Sequence, residues 1–174
     1  MTARRKPAAP TIPVSALLSE GAAPLVLRLE GGGKGLSRLI TRSRVQRPGL
    51  GLTGFTRYLS NGRVQILGGS ESSYLRTLSK RERAAVIGRL MERELCCVVV
   101  TRGLEVPPEL TRCADRFGIP VLSTPVDSTP FIKRLTEFLE DRLARTARLH
   151  GVLLDVLGVG VFIIGVTLVG SLNT

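Results

Sequence analysis

The stretch CCVVVTRGLEVPPELTRCADRFGIPVL, residues 96–122, carries the pattern that decides the fold class. It opens with a continuous apolar run over residues 96–101, which is typical of a strand covered on both faces of a sheet. A helix is predicted to open at residues 107–109, where proline is tolerated, and to end near Phe117 with Gly118 as its cap. Residues 119–122 then predict the next strand.

Signals upstream of this stretch extend the pattern. The capping box at residues 79–82, serine followed three positions later by glutamate, predicts a helix up to about Arg93. Strands are predicted over residues 64–68 and 25–29. Helix and strand therefore alternate through residues 79–123, which predicts an α/β fold with a small parallel or mixed sheet.

One more helix is predicted downstream, with Thr129 as its N-cap and Pro130 at its first position. It should run to about Leu149, with Lys133 and Glu137 paired across one turn. We interpret it as a helix that links the first domain to the C-terminal residues.

The composition indicates a globular chain with an aliphatic core, since 43% of the residues are hydrophobic and only 4% are aromatic. The net charge of +11 favours acidic partners, and a basic nucleic-acid-binding module is one alternative. Its arginines are scattered and lack neighbouring aromatic residues for base stacking, so nucleic acid is not an expected partner. The basic, Pro-rich residues 1–13 predict a disordered tail and contain no signal peptide.

Two kinds of site are excluded by spacing. Cys96, Cys97 and Cys113 do not have the spacing of metal ligands, and we expect buried, reduced thiols and no metal site. Lys34 lies in a Gly-rich run, but glycine rather than serine or threonine follows it, so the phosphate-loop pattern is not met.

The C-terminal residues 151–174, GVLLDVLGVGVFIIGVTLVGSLNT, contain Asp155 as their single charged residue. One interpretation is a tail-anchored membrane protein with residues 151–172 as the span. The charge at Asp155 and the many glycines argue against a lipid-embedded helix. We favour two strands around a glycine-containing turn, the second ending at Gly165.

A strand that ends in glycine is also how a phosphate-binding loop begins. Gly165 and Gly170 have the spacing of the two loop glycines. The lysine that meets the β- and γ-phosphates should come next, and then a serine or threonine that holds Mg²⁺. Ser171 and Leu172 stand at those positions. Nucleotide binding at this loop is therefore expected to be weak or nil.

Five segments together resemble the bacterial HPr kinase/phosphorylase family, in the family's order and spacing, over roughly residues 12–165. They are RPGLGLTGF (residues 47–55), GRVQILGGSESSYL (62–75), CVVVTRGLEVPPEL (97–110), FGIPVLSTP (117–125) and HGVLLDVLGVGVFIIG (150–165).

The resemblance implies an enzyme that phosphorylates a serine of HPr, the phosphocarrier of the sugar phosphotransferase system, and removes that phosphate by phosphorolysis. In the family, an N-terminal α/β domain resembles a domain of the Mur ligases and has no assigned catalysis. A P-loop kinase domain with ATP and Mg²⁺ comes after it and assembles hexamers. His150 matches the family's residue before the first kinase strand, where it is either a helix-end histidine or a phosphate contact.

We therefore predict four segments: a disordered tail (1–13), the family's N-terminal domain (14–128), a linking helix (129–149), and the truncated, incomplete β-hairpin of a P-loop kinase domain (150–174). His150, Gly165 and Gly170 are the only binding positions that the resemblance suggests, and no catalytic residue is carried over. We expect a cytoplasmic chain that is inactive alone and needs no cofactor. HPr and full-length subunits are its expected partners, and a membrane is not.

Overall fold

The computed structural model describes residues 10–144, 151–156 and 159–164, and divides the chain into two compact units. The first unit ends at Ala144 and the second begins at Arg145. The strands are β1 (Ile12–Pro13), β2 (Arg28–Gly31), β3 (Leu39–Ile40), β4 (Val64–Leu67), β5 (Cys97–Val100), β6 (Val121–Ser123), β7 (Gly151–Val156) and β8 (Val159–Ile164). The helices are α1 (Gly49–Leu52), α2 (Gly69–Thr77), α3 (Lys80–Met91), α4 (Pro108–Phe117) and α5 (Ser128–Leu143).

The first unit is built on a four-stranded sheet in the order β2-β6-β5-β4. Strands β4, β5 and β6 are parallel, and β2 pairs antiparallel with β6. A separate two-stranded pairing joins β1 to β3. The mixed α/β class and the parallel crossovers predicted for residues 79–123 are thus confirmed, whereas the Mur ligase likeness and the domain boundaries stay predictions.

Alternate residues of β5 enter two different cores, because successive side chains of a strand point to opposite faces. Cys97 and Val99 belong to one cluster, and Val98 and Val100 to the other. All four residues are buried, so the central strand is covered on both faces, as the apolar run predicted.

Helices α3 and α4 form where the local signals placed them. The Ser79 hydroxyl accepts from the Glu82 N–H at 3.3 Å, and the Glu82 carboxylate accepts from the Ser79 N–H at 2.9 Å. Helix α4 ends at Gly118, which takes the left-handed conformation. Helix α2 has no counterpart among the sequence predictions.

The strand predicted over residues 25–29 is wrong at its start. Residues Glu20–Leu25 form a 3-10 helix, Val26 is left-handed, and β2 begins only at Arg28. The short helix buries Ala22 and Leu25, and the Thr124 hydroxyl donates to the Leu25 carbonyl at 2.8 Å. We therefore attribute the local conformation to the burial of these two side chains, which outweighs the strand propensity of the sequence.

Helix α5 begins two residues before the predicted start, with Asp127 rather than Thr129 at the N-cap, and ends at Leu143 rather than near Leu149. The helix that we interpreted as a linker buries Phe131, Leu135 and Leu139 in the core of the first unit. The predicted pair of Lys133 and Glu137 is confirmed at 4.0 Å.

The glycine run around Lys34 packs closely against the chain before β6. A Cβ atom on Gly32 would lie 2.1 Å from the Ile119 carbonyl oxygen, and φ at this residue is 70°. The Gly32 N–H donates to Asp115 at 2.8 Å, and Lys34 lies in a 3-10 helix over Gly33–Gly35. Close backbone packing explains these glycines without a phosphate loop.

The second unit contains an antiparallel hairpin in which β7 pairs with β8, from Gly151 opposite Ile164 to Val156 opposite Val159. The two predicted strands are confirmed. The helical membrane span considered for residues 151–172 is not favoured, because residues 151–156 and 159–164 are strands. Within the residues that the structure describes, we find no helix with the length and apolarity to cross a membrane.

Candidate functional site

Three arginines far apart in the sequence line one cleft at the carboxyl ends of β4, β5 and β6. Ligands of α/β proteins bind preferentially at this edge of a parallel sheet. The cavity has a volume of about 610 Å³, and we name it the arginine cleft. Its lining residues are Arg47, Gly69, Ser70, Ser73, Arg76, Arg102, Leu104, Asp127, Ser128, Thr129 and Pro130.

The cleft exists because α2 and α5 start directly after β4 and shortly after β6. Buried hydroxyl groups join these ends: Thr101 Oγ1 and Ser128 Oγ lie 2.6 Å apart, and the Thr101 N–H donates to the Leu67 carbonyl at 3.1 Å. At the start of α2, the buried Glu71 carboxylate accepts from the Gly68 N–H at 3.0 Å. The two helix N-termini are therefore fixed beside the ends of the strands.

Arg102 has a backbone conformation that residues other than glycine seldom adopt. Its φ is 69°, in the left-handed region that costs a non-glycine residue free energy. Its N–H donates to the Val126 carbonyl at 2.9 Å, which holds the turn after β5 against the segment before α5. Its Nη1 lies 2.8 Å from the place that a Cβ atom would take on Gly69, so the guanidinium lies against the first turn of α2.

Asp127 is the N-cap residue of α5, yet its side chain accepts no hydrogen bond from the helix. Its Oδ1 lies 3.3 Å from Arg102 Nε instead. The N–H groups of Ser128 and Thr129 have no acceptor within the helix, since the first turn of any α-helix lacks one. The described lining residues include three arginines and one acidic residue, so the cleft carries a positive charge.

A second cavity, of about 700 Å³, lies on the other side of Leu104, which lines both. It contains Glu30, whose carboxylate accepts a hydrogen bond from the Ser123 hydroxyl and pairs with Arg28 at 2.7 Å. The Ser123 hydroxyl, followed by Arg28, holds the pKa of Glu30 below its usual value despite partial burial. Two acidic residues, Glu30 and Glu105, line this cavity with one arginine, Arg28, and the other lining residues are apolar, hydroxylated or glycine.

The cysteines do not form a metal-binding site in the described part of the chain. Cys96, Cys97 and Cys113 are free thiols. The hydrogen bond with Cys96, together with burial, raises the pKa of Cys97 well above its usual value, which keeps this thiol protonated. No group of His, Cys, Asp and Glu among the described residues could hold a metal ion.

The positions suggested by the resemblance, His150, Gly165 and Gly170, lie outside the described residues, and their roles stay predictions. The sequence predictions missed the arginine cleft because Arg47, Arg76 and Arg102 are about thirty residues apart. The signal that could have found it was the topology: Arg102 follows the end of one predicted parallel strand, and Asp127 follows the end of the next.

Residues 12–139 match the family model described as "HPr Serine kinase N terminus". This match covers most of the first unit, including the sheet, α5 up to Leu139 and the arginine cleft. The chain belongs to this family.

Curated relatives of the HPr kinase N-terminal family extend the match. The chain is 44% identical over 161 residues to HPr kinase/phosphorylase of Geobacter sulfurreducens, covering 92% of this chain and 50% of the relative. It is 41% identical over 140 residues to the enzyme of the same name from Brevibacillus brevis, covering 80% of this chain and 45% of the relative. The chain thus spans about half the length of the curated relatives it matches.

A solved structure shares the fold of this family member. It contains the CBS and DRTGG domains of the regulatory region of a Clostridium perfringens pyrophosphatase, in complex with the activator diadenosine tetraphosphate. The TM-score is 0.50 at 17% identity, with 76% of this chain and 52% of that chain covered. At this identity the likeness shows the fold alone.

Proposed function

We propose that this chain acts as the non-catalytic N-terminal part of an HPr kinase/phosphorylase and does not transfer phosphate by itself. The observation that carries the proposal is the match of residues 12–139 to the N-terminal family, together with relatives named for action on HPr. Under this proposal HPr and full-length kinase subunits are its partners, and its role is interaction or regulation.

The residues after β8 support the inactive assignment. A phosphate loop needs a lysine for the β- and γ-phosphates and a hydroxyl for Mg²⁺. Ser171 and Leu172 stand at these two positions, so ATP with Mg²⁺ lacks its main cationic ligand there. Full-length family members use ATP and Mg²⁺, and this chain is proposed to need neither.

The test is a transfer assay with purified chain, HPr and labelled ATP, repeated with pyrophosphate as the phosphate donor. We expect no labelled HPr, whereas the Geobacter sulfurreducens enzyme under the same conditions should label it. Transfer by the chain above the rate without protein would refute the inactive assignment.

A second measurement tests the interaction role separately. Sedimentation of the chain mixed with a full-length relative should show a complex that contains both. Absence of both a complex with the relative and a complex with HPr would contradict the interaction role, whatever the transfer assay shows.

A further inference from the structure

We propose that the arginine cleft binds a small molecule through a phosphate group. This inference goes beyond the proposed function, because it concerns the first unit and requires no phosphate transfer. Its first support is charge: among the described lining residues, three are arginines (Arg47, Arg76 and Arg102) and one, Asp127, is acidic. Among the described residues, Arg47 and Arg76 make no ion pair. Arg76 Nη2 donates to the Ser73 hydroxyl at 3.3 Å, and both arginines keep further donors for a ligand.

Geometry supplies the second step. Arg102 approaches Gly69, and Arg47 Nη2 lies 3.7 Å from the place of a Cβ atom on Gly68. Both guanidinium groups therefore lie beside the first turn of α2, whose N–H groups are electropositive themselves. The Glu71 carboxylate lies at this turn too and accepts from the Gly68 N–H. An anion between the two guanidinium groups would add to its effect, because it could pair with both cations. The planar, forked donor pattern of arginine matches phosphate oxygens in particular.

The third observation is that the Asp127 carboxylate pairs with Arg102 and does not cap α5. The N–H groups of Ser128 and Thr129 are therefore left without a side-chain acceptor. The pair is solvent-exposed, with 53% of the Arg102 side chain and 74% of the Asp127 side chain accessible, so it is weak. A phosphate can replace Asp127 as the partner of Arg102 and accept from the free N–H groups as well.

Size and lining decide the class of ligand. A volume of about 610 Å³ is within the usual range for small-molecule sites and exceeds what inorganic phosphate fills. Apolar contacts come from Leu104 and Pro130, while most other lining residues are charged or hydroxylated. None of the described lining residues is aromatic, so base stacking is not provided, and this favours a small phosphorylated compound over a nucleic acid strand.

The experiment is a titration of the full 174-residue chain with glycerol 3-phosphate, pyrophosphate and inorganic phosphate, followed by calorimetry and amide NMR. We expect saturable binding, tighter for pyrophosphate and glycerol 3-phosphate than for inorganic phosphate. The largest amide shifts should fall on Gly69, Ser70, Ser128 and Thr129. Malonate, a dianion without phosphate, should bind at least about tenfold more weakly than pyrophosphate.

Variants that remove a positive or a negative charge from the cleft should change the Kd in opposite directions. Arg102→Gln and Arg47→Gln should each raise the Kd by about tenfold or more, because each removes a charge-assisted donor. Asp127→Asn should lower the Kd, since it removes the competing carboxylate but keeps a good N-cap residue. Arg81→Gln, an equal charge change on the exposed face of α3, should leave the Kd unchanged.

Several outcomes would overturn the assignment. The first is that no phosphate probe binds saturably at concentrations up to about 10 mM. The second is that malonate binds with the same affinity as pyrophosphate, and the third is that Arg81→Gln changes the Kd as much as Arg102→Gln does. The fourth is that an RNA oligonucleotide binds more tightly and shifts amide signals outside the cleft. If Arg102→Gln fails to fold, Arg47→Gln and Arg76→Gln decide the question, and thermal unfolding of each variant reports on its folding.

Discussion

Single residues in this chain carry charge and backbone geometry that the sequence pattern does not reveal. Arg102 is the clearest case: as a letter it is one of many arginines, but its left-handed φ and its contact with Asp127 come from the turn after β5. Glu109 is another, because it is buried at the start of α4 and contacts Arg83 in α3. The contacts and the burial of a charged side chain therefore could not be predicted from the sequence alone at these two residues.

We predict that Glu109→Gln destabilises the fold near pH 7 by about 1–3 kcal/mol, since it breaks a mostly buried ion pair. Arg83 Nε lies 3.2 Å from Glu109 Oε2, with side-chain exposures of 18% and 6%. The free energy of unfolding from urea titrations of wild type and variant measures the loss. Glu140→Gln, an exposed glutamate on α5, is the control and should change little.

The same variant carries a pH signature. The Glu109 N–H, followed by the Arg83 guanidinium, holds the pKa of Glu109 below its usual value, against the effect of burial. A lowered pKa gives stability that is present above the usual pKa of about 4.3 and is lost as the pH falls through the folded value. The stability difference between wild type and Glu109→Gln should therefore shrink below about pH 4. A difference that stays constant from pH 7 to pH 3 would contradict this assignment.

At the scale of elements, two glycines on neighbouring helices should respond in opposite directions to the same change. Gly88 lies inside α3 and Gly118 caps α4, and a Cβ atom on either would meet nothing within 4 Å. Gly88→Ala should stabilise the chain by about 0.5–1 kcal/mol, because alanine favours a helix interior. Gly118→Ala should destabilise it by about 1 kcal/mol, because φ there is 58°.

Thermal unfolding of the two variants measures these shifts side by side. Both substitutions add one methyl group in open space, so packing cannot explain a difference in sign. A rise in Tm for Gly118→Ala, or a fall for Gly88→Ala, would show that the backbone conformation of the cap or of the helix differs from the one described.

Elements with strong local signals were predictable, and those fixed by distant contacts were not. The capping box of α3, the proline start and glycine end of α4 and the apolar run of β5 each act within a few residues. The 3-10 helix over Glu20–Leu25 depends on burial against residues about a hundred positions away, such as Thr124. Helix α2 starts at a glycine and is rich in serine, so its sequence gives little helix signal.

One part of the candidate site could be predicted from the sequence, and another part could not. The topology placed Arg102 and Asp127 at the same sheet edge, and that could have been predicted from the parallel strands. The contribution of Arg47 could not, because Arg47 lies in the loop before β4, next to the parallel bridge between Gln46 and Gln65. Loop conformation, rather than any motif, brings the third cation into place.

At the scale of the whole molecule, the residues whose burial the structure describes form two core clusters between Ile12 and Leu143. Among the described strands, β7 pairs with β8 in a two-stranded sheet. A two-stranded hairpin is marginally stable in water by itself, and unpaired strand edges favour aggregation. We predict that deleting residues 151–174 raises the solubility of the chain and leaves the cooperative unfolding of the first unit intact. Concentration at the onset of precipitation and the Tm are the measurements, and unchanged or lower solubility would count against the prediction.

The antiparallel pairing of β2 with β6 has a consequence for synthesis of the chain. The Ser123 hydroxyl in β6 donates a hydrogen bond to Glu30 in β2, 93 residues away in the sequence, and Leu29 lies opposite Leu122. Contacts this distant in sequence raise the contact order and slow folding. On the ribosome, β2 emerges early and has no strand partner until β6 has been made. The nascent chain therefore carries an unpaired strand while all the residues between β2 and β6 are translated, and the sheet of the first unit is completed only after β6 emerges.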